Sequence, residues 1–383
     1  MSSRRVGIAG VGTSSFGRFP EQRIEELAWE AIAEAIDDSG LSVSEFDAAF
    51  VGSVFGPPGV ANRVLAGAGL GGIPAFKIEA ACASGTVALH EAQHAVASGR
   101  YNNVLAVGVE QLSTKFAGPI VPEPGDPEGR AGLAMPALYA LQASRYVQQH
   151  QLDAALLAEV AVKNKAHGAL NPRAHLSGTP PTSAEVLESR PIAGPLTLLQ
   201  CCPMSDGAGA AVVTTFNASS NSHVEIMTSQ FSSGPLWTSV DDAPWGFRTV
   251  ASTAARAFAE TGLSVQDVDV FEVHDAFTIG EILTLEAIGV AAQGHGAELA
   301  PSGHTQLGGP QPVNPSGGLL SRGHPLGSTG LAQTAELVWQ LRGQAADRQV
   351  ADAEIALLET MGGGAAGVDA NACVIALLRG PTR

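Results

Sequence analysis

Two stretches of this chain repeat one another at a distance of 222 residues. Gly40-Leu41-Ser42-Val43 is followed by Asp47, Val51 and Phe55, and Gly262-Leu263-Ser264-Val265 by Asp269, Val273 and Phe277. Seven of sixteen ungapped positions are identical. A repeat of this span implies one α/β unit used twice, with strands and helices alternating around a mostly parallel sheet. Each copy has an Ala-rich helix before the shared segment. Residues 23–38 put Ile24, Leu27, Ala28, Ala31 and Ala35 on one stripe, and the second helix falls at roughly 250–260. Residues 5–9 read as a first strand ended by Gly10 and Gly12. The expected organisation is a first half of residues 1–116 plus 196–222, a second half of residues 223–383, and a Pro- and Gly-rich excursion, residues 117–195, capping the first half. The excursion has a helical stretch from about 137 to 165. The segment from Cys201 to Val213 then re-enters the core as a strand.

Duplication also suggests where chemistry sits. Cys82, in Glu79-Ala80-Ala81-Cys82-Ala83-Ser84-Gly85-Thr86, follows a strand at residues 75–79 and opens an Ala-rich helix. In the second half His324, in Gly323-His324-Pro325, precedes another helix through Leu331, Ala335, Leu337, Val338 and Leu341. Equivalent turns of related halves can meet across a pseudo-twofold axis, which would join Cys82 to His324 across 242 residues. A cysteine at a helix start with distant histidines fits a nucleophile assembled by the fold. The free N–H groups and dipole of the helix start favour an anion, so the thiol pKa is expected to fall.

The segments Ala81-Cys82-Ala83-Ser84-Gly85, Val162-Lys163-Asn164-Lys165, Leu199 to Ala208, His274-Asp275-Ala276-Phe277 and Asn314 to Gly330, in this order, resemble a thiolase of the sterol-carrier type over nearly the whole length. The resemblance implies the thiolase fold, duplicated halves in five α-β-α-β-α layers with an inserted loop domain. It implies acyl-CoA as substrate, no permanently bound cofactor, and a homodimer or homotetramer. It leaves no room here for the lipid-carrier domain fused to some relatives. Cys82 then resembles the nucleophile that carries the acyl group, His324 the base for its proton, and His274 a residue binding the substrate oxygen. The N–H of Cys82 and one from Gly362-Gly363-Gly364, taken as Gly363, resemble a second oxyanion hole.

This chain also departs from the family. Many thiolases place a second, acid/base cysteine near the C-terminus, where Thr360 stands here. Sterol-carrier-type members can carry it in His-Asp-Cys-Phe, where this chain has Ala276. Glu359, where relatives have His, is a candidate acid/base if it faces the pocket. Three readings stay open: an acyl-CoA C-acyltransferase (thiolysis of 3-oxoacyl-CoA or the reverse condensation), a thiolase-fold aldolase or lyase on a CoA thioester, and a subunit dependent on a small zinc-ribbon/OB-fold partner.

Composition excludes other classes. The net charge of −16 argues against a nucleic-acid coat. No apolar run approaches the ~18 residues of a membrane span. Ser2-Ser3-Arg4-Arg5 lacks a secretory apolar region, and Gly380-Pro381-Thr382-Arg383 is no peroxisomal address. Four cysteines do not make a disulfide framework, so a cytoplasmic location is expected. No metal site is expected: His90-Glu91-Ala92-Gln93-His94 matches H-E-x-x-H but lacks a third ligand. Gly7 to Gly12 reads as a tight turn rather than a dinucleotide loop. Lys163, Lys165, His167 and Arg173 read either as CoA-phosphate contacts or as a solvated helix end. Phe116, Leu133, Met135, Leu138 and Tyr139 read as pocket lining or packing, and Cys201, Cys202 and Cys373 as core.

Overall fold

A computed structural model describes residues 4–236, 243–363 and 367–381. Ser2, Ser3, Gly364 and the terminal Thr382-Arg383, all named above, lie outside the described residues. The first half has strands β1 (Val6–Thr13), β2 (Ala48–Gly52), β3 (Ala75–Ile78) and β4 (Val104–Gln111), and helices α1 (Ile24–Ser39), α2 (Val60–Gly67) and α3 (Ser84–Ala97). An excursion holds α4 (Pro127–Arg130), α5 (Met135–His150), α6 (Leu156–Ala169), α7 (Ser183–Glu188) and the small pair β5 (Pro191–Ala193) and β6 (Leu196–Thr197). Strand β7 (Asp206–Thr215) returns to the sheet. The second half has β8 (Val224–Ser232), α8 (Phe247–Thr261), β9 (Val270–Glu272), α9 (Thr278–Ile288), α10 (Gly318–Arg322), α11 (Thr329–Arg342), β10 (Ile355–Gly362) and β11 (Ala372–Arg379).

Strand order carries the duplication. It runs β3-β2-β4-β7-β1-β8-β11-β10-β9, so β2-β4-β7-β1 mirrors β9-β10-β11-β8 about the antiparallel β1–β8 junction. Helices α1 and α8 both end on a left-handed glycine, Gly40 and Gly262, which only a residue without Cβ adopts freely. The partner of β3 is reduced to one parallel bridge between Phe271 and Val313. Apolar faces sort into layers. α1 and α2 cover one side of the first half-sheet, α3 and α11 lie between the half-sheets, and α8 and α9 cover the far side.

Several local expectations change. The sheet is mixed, because β1, β7, β8 and β11 pair antiparallel with their neighbours. β1 runs through Gly10 and Gly12 instead of ending there. A Cβ at either would strike the main chain of α1 at Ala35 or Ala31, so the glycines serve helix–strand approach within the strand. The long excursion helix is two helices, broken at left-handed Gln151. Cys201 to Ser205 precede β7 rather than forming it, and Cys201 and Cys202 are half-buried.

Candidate active site

Helices α3 and α11 approach one another at their N-terminal ends, and the contact is built from glycine. A Cβ at Gly327 would lie 2.8 Å from the Gly52 carbonyl oxygen and 2.9 Å from that of Val109. A Cβ at Gly330 would lie 2.8 Å from the Thr86 nitrogen. The Glu110 carboxylate locks the approach: it accepts the N–H groups of Val54 (2.8 Å), Phe55 (3.0 Å) and Gly327 (3.2 Å). The turn carrying Cys82 and the turn carrying His324 therefore face each other.

Cys82 precedes α3 by two residues, after Ala81 in the left-handed region (φ 49°), an uncommon conformation for a residue with a Cβ. The Ser84 hydroxyl donates to the Ala81 carbonyl (2.6 Å) and accepts the Ala80 N–H (2.9 Å), and Glu79 accepts the Ala81 N–H (2.8 Å). The turn thus holds the sulfur at a fixed point. There the backbone N–H groups of Gly363 and of Cys82 itself favour its charged form.

The Cys82 sulfur and one ring nitrogen from each of His274 and His324 all lie within 4.8 Å of one another, and the rings are 5.0 Å apart. Hydrogen-bond accounting fixes both tautomers. His274 Nδ1 is 2.6 Å from the Met361 carbonyl, which can only accept, so Nδ1 carries the proton. His274 Nε2 is left a buried lone pair without a partner. The Thr329 hydroxyl gives its proton to the Pro325 carbonyl and so accepts from His324 Nδ1 at 2.8 Å, leaving His324 Nε2 bare too. Burial lowers His274 to about 4 and holds His324 well below the usual imidazole range, so both rings are neutral bases. Burial likewise pushes the Cys82 thiol up to about 12, outweighing the two N–H donors. This corrects the lowered thiol pKa expected from the helix start: the resting site holds a neutral thiol between neutral imidazoles.

The two imidazoles stand on a buried polar network. Lys163 pairs with Glu281 at 2.6 Å, and Asn164 donates to Asp275 and Glu281, both at 2.7 Å. Asn314 donates to Glu281 (2.9 Å) and accepts the Val273 N–H (2.9 Å). Asp275 accepts the Leu319 N–H at 2.6 Å. Glu272 takes the Ser316 N–H (3.0 Å) and pairs with Arg322 (3.2 Å), joining the chain before His274 to the chain before His324. Glu359 accepts the His274 N–H at 2.9 Å, and burial raises it to about 7. Its neighbour Thr360 points the other way and donates to Gln333 (2.8 Å). Met135 and Trp245 close over Gly363, within 3.7 Å of where its Cβ would be, and Tyr139 stacks on Phe277 at 4.3 Å.

The basic cluster is neither a phosphate site nor a solvated helix end. Lys163, Lys165 and His167 are buried, bonding Glu281, the Leu320 carbonyl (3.0 Å) and the Asn314 carbonyl (3.1 Å). Arg173 pairs with Glu34. In the H-E-x-x-H segment His90 is buried against Ser229 (2.9 Å) while His94 is exposed. Among the described residues, the cluster able to hold a metal ion is Cys82, His274 and His324 themselves. An ion there would occupy the sulfur and both free lone pairs, so metal binding and covalent chemistry exclude each other. The Thr329 brace, the Glu110 lock and Trp245 escaped the sequence reading. A glutamate near the end of an otherwise apolar strand was the one available hint.

Two family descriptions match: "Thiolase, N-terminal domain" over residues 6–179 and "Thiolase C-terminal domain-like" over residues 237–375. An acetyl-CoA acetyltransferase of Methanothermobacter thermautotrophicus is 36% identical over 371 residues, covering 94% of this chain and 97% of that protein. Sterol carrier protein 2 of Gallus gallus is 35% identical, covering 95% of this chain and 70% of that protein. The solved Ltp2-ChsH2(DUF35) aldolase shares the fold with a TM-score of 0.85 at 23% identity, covering 100% of this chain and 99% of that one. No helix among the described residues is long and apolar enough to cross a membrane. The chain belongs to the thiolase family of acyl-CoA C-acyltransferases.

Proposed function

We propose that the chain transfers acyl groups through a thioester on Cys82, with acyl-CoA as substrate and no permanently bound cofactor. The observation that carries this reading is the meeting, within 4.8 Å, of one thiol and a ring nitrogen from each of two imidazoles that keep a free Nε2 lone pair. In thiolysis the 3-oxo carbon of a 3-oxoacyl-CoA sits against the Cys82 sulfur. His324 Nε2 takes the thiol proton as the sulfur attacks, and the charged form exists only along the reaction path. The resulting His324 Nε2–H then faces the substrate oxygen as a donor. The N–H groups of Cys82 and Gly363 meet the oxyanion of the tetrahedral intermediate. His274 presents a lone pair, so it meets the substrate oxygen through a shared water. Glu359 serves His274 as a prop. Met135, Trp245 and Tyr139 form the apolar wall for the acyl chain.

The neutral resting state supports acyl transfer over the aldolase reading, since a thiol held beside two bases is useful only if it reacts. A second copy pairing at the free edge of β3 is the assembly proposed. A small zinc-ribbon/OB-fold partner is the lesser alternative, suggested by the two-component name of the Ltp2-ChsH2(DUF35) aldolase. Four free cysteines fit a reducing cytoplasm. Intact-mass analysis after mixing the protein with acetyl-CoA and longer acyl-CoAs tests the chemistry. An acyl adduct mapping to Cys82 and absent from Cys82→Ala is the expected result. Full activity in Cys82→Ala sinks the reading.

A further inference from the structure

Carbon–carbon cleavage needs a second proton carrier, distinct from the base that serves Cys82. The departing CoA thioester leaves as an enolate whose α-carbon must be protonated, and the incoming CoA thiol must then lose a proton. His324 is occupied with the proton of Cys82. His274 has its one proton committed to Met361 and nothing to give on the side of the sulfur. Glu110 is engaged by three backbone N–H groups, and Glu359 accepts the His274 main-chain N–H through Oε2, with Oε1 buried and unpartnered. The Thr360 hydroxyl donates to Gln333, and residue 276 is alanine.

A proton-bearing group matched in chemistry to the CoA thiol also stands at the site. The Cys202 N–H donates to the Ala276 carbonyl at 2.9 Å, beside an antiparallel bridge between Cys201 and Phe277. In such a pairing residues 202 and 276 stand directly opposite, with side chains on one face and Cβ atoms about 4.5–5.5 Å apart. Ala276 is two residues past His274, which brings a ring nitrogen within 4.8 Å of the Cys82 sulfur and keeps a buried, unpartnered Nε2. Cys202 is close enough that a charge on Cys82 raises its pKa, and both thiols act on Tyr139 in the same way. The Tyr139 ring is pinned between Phe277 and Trp245. Its phenol is also a weaker match to a CoA thiol than another thiol is, by about 1.5 pKa units before burial.

We propose that Cys202 is this second proton carrier, an assignment that rests on the acyl-Cys82 reading. The Cys202 S–H proton passes to the α-carbon as the carbon–carbon bond breaks, leaving a thiolate on Cys202. That thiolate takes the proton of the incoming CoA thiol, whose sulfur attacks the Cys82 thioester. The released Cys82 thiolate recovers its proton from His324. Every proton is returned and no oxidant or further reactant enters. Burial keeps Cys202 protonated until it is needed. A thioester on Cys82 carries no charge to oppose the Cys202 thiolate, so the two thiols work in order.

The test uses the full chain as Cys202→Ala, Cys202→Ser and, as a control, Cys201→Ser. Two quantities are measured: acylation of Cys82 by the acyl-CoA that labels it, and deuterium uptake at the α-carbon of that acyl-CoA in heavy water. Acylation requires no α-proton. Both Cys202 variants are expected to lose exchange by about 10²–10⁴-fold and to slow acylation by no more than about thirtyfold, because a CoA thiolate, unlike an enolate, can leave unprotonated near neutral pH, with Cys201→Ser unchanged. Exchange within threefold of the parent in Cys202→Ala overturns the assignment. Equal loss of both steps also overturns it, by showing a structural or CoA-binding role. A parent that never acylates Cys82 fails at the earlier reading, before any variant is made.

Discussion

Gly52 and His274 occupy equivalent places in the two halves, 222 residues apart, at the ends of β2 and β9. In the first half α3 starts immediately overhead: a Cβ at Gly52 would lie 2.5 Å from the Ser84 carbonyl carbon and oxygen. In the second half the block from Asn314 to Arg322 stands between the edge segment and α11, and an imidazole fits. The crowding that denies the first half a side chain is the crowding that fixes Cys82 at the mouth of α3. The opened second half carries both imidazoles and the buried charges that hold them. On the proposed roles, equivalent turns hold the nucleophile in one half and the proton chemistry in the other.

The division of labour is sharpest at His324. His324→Ala removes the proposed base and leaves the thiol turn untouched, since the turn is held by Ser84, Glu79 and Glu110. The rate of Cys82 acylation, followed by rapid-quench mass analysis, is expected to fall about 10²–10⁴-fold with the melting temperature unchanged within a few degrees. A fall below tenfold would mean that the two turns do not divide nucleophile from base.

The legible part of this arrangement is what the duplication preserves. Gly40 and Gly262 cap equivalent helices, and the repeat alone places the Cys82 turn opposite the His324 turn. What stayed hidden depends on partners far along the chain. Lys163 and Lys165 have the spacing of an exposed helix end, and Glu281 with the Val313 and Leu320 carbonyls, all more than a hundred residues on, makes their burial tolerable. Cys202 has the look of a core residue until Ala276 is seen across from it. Helix-start effects on the thiol pKa are local and readable, whereas desolvation depends on everything packed around the sulfur.

Gly52→Ala tests the crowded half directly. A methyl group there must push against the Ser84 and Gly85 main chain, at 2.5 and 2.6 Å. Overpacking of this kind costs about 1–3 kcal/mol, and the strain falls on the start of α3. Denaturant unfolding should show that loss, together with slower acylation of Cys82. His274→Ala, at the equivalent open position, should unfold within about 1 kcal/mol of the parent while losing activity. Equal destabilisation by both would remove the steric contrast between the halves.

The smallest effect concerns the state of the Cys82 thiol before substrate arrives. A helix N-terminus favours an anion by about 0.3–1 kcal/mol, less than one pKa unit at 1.36 kcal/mol per unit. Burial moves the thiol from 9.0 to about 12, so desolvation wins. His324 does not offset this by storing the proton, because its own charged form is disfavoured by the same burial and by Arg322. Iodoacetamide labelling of Cys82, resolved by peptide mapping, should therefore rise about tenfold per pH unit from 7 to 10 without a plateau. The unfolded chain should level off near 8.5. A plateau below pH 7 would instead mean a standing thiolate–imidazolium pair, in which the helix start prevails and the first half already carries its charge before the second half acts.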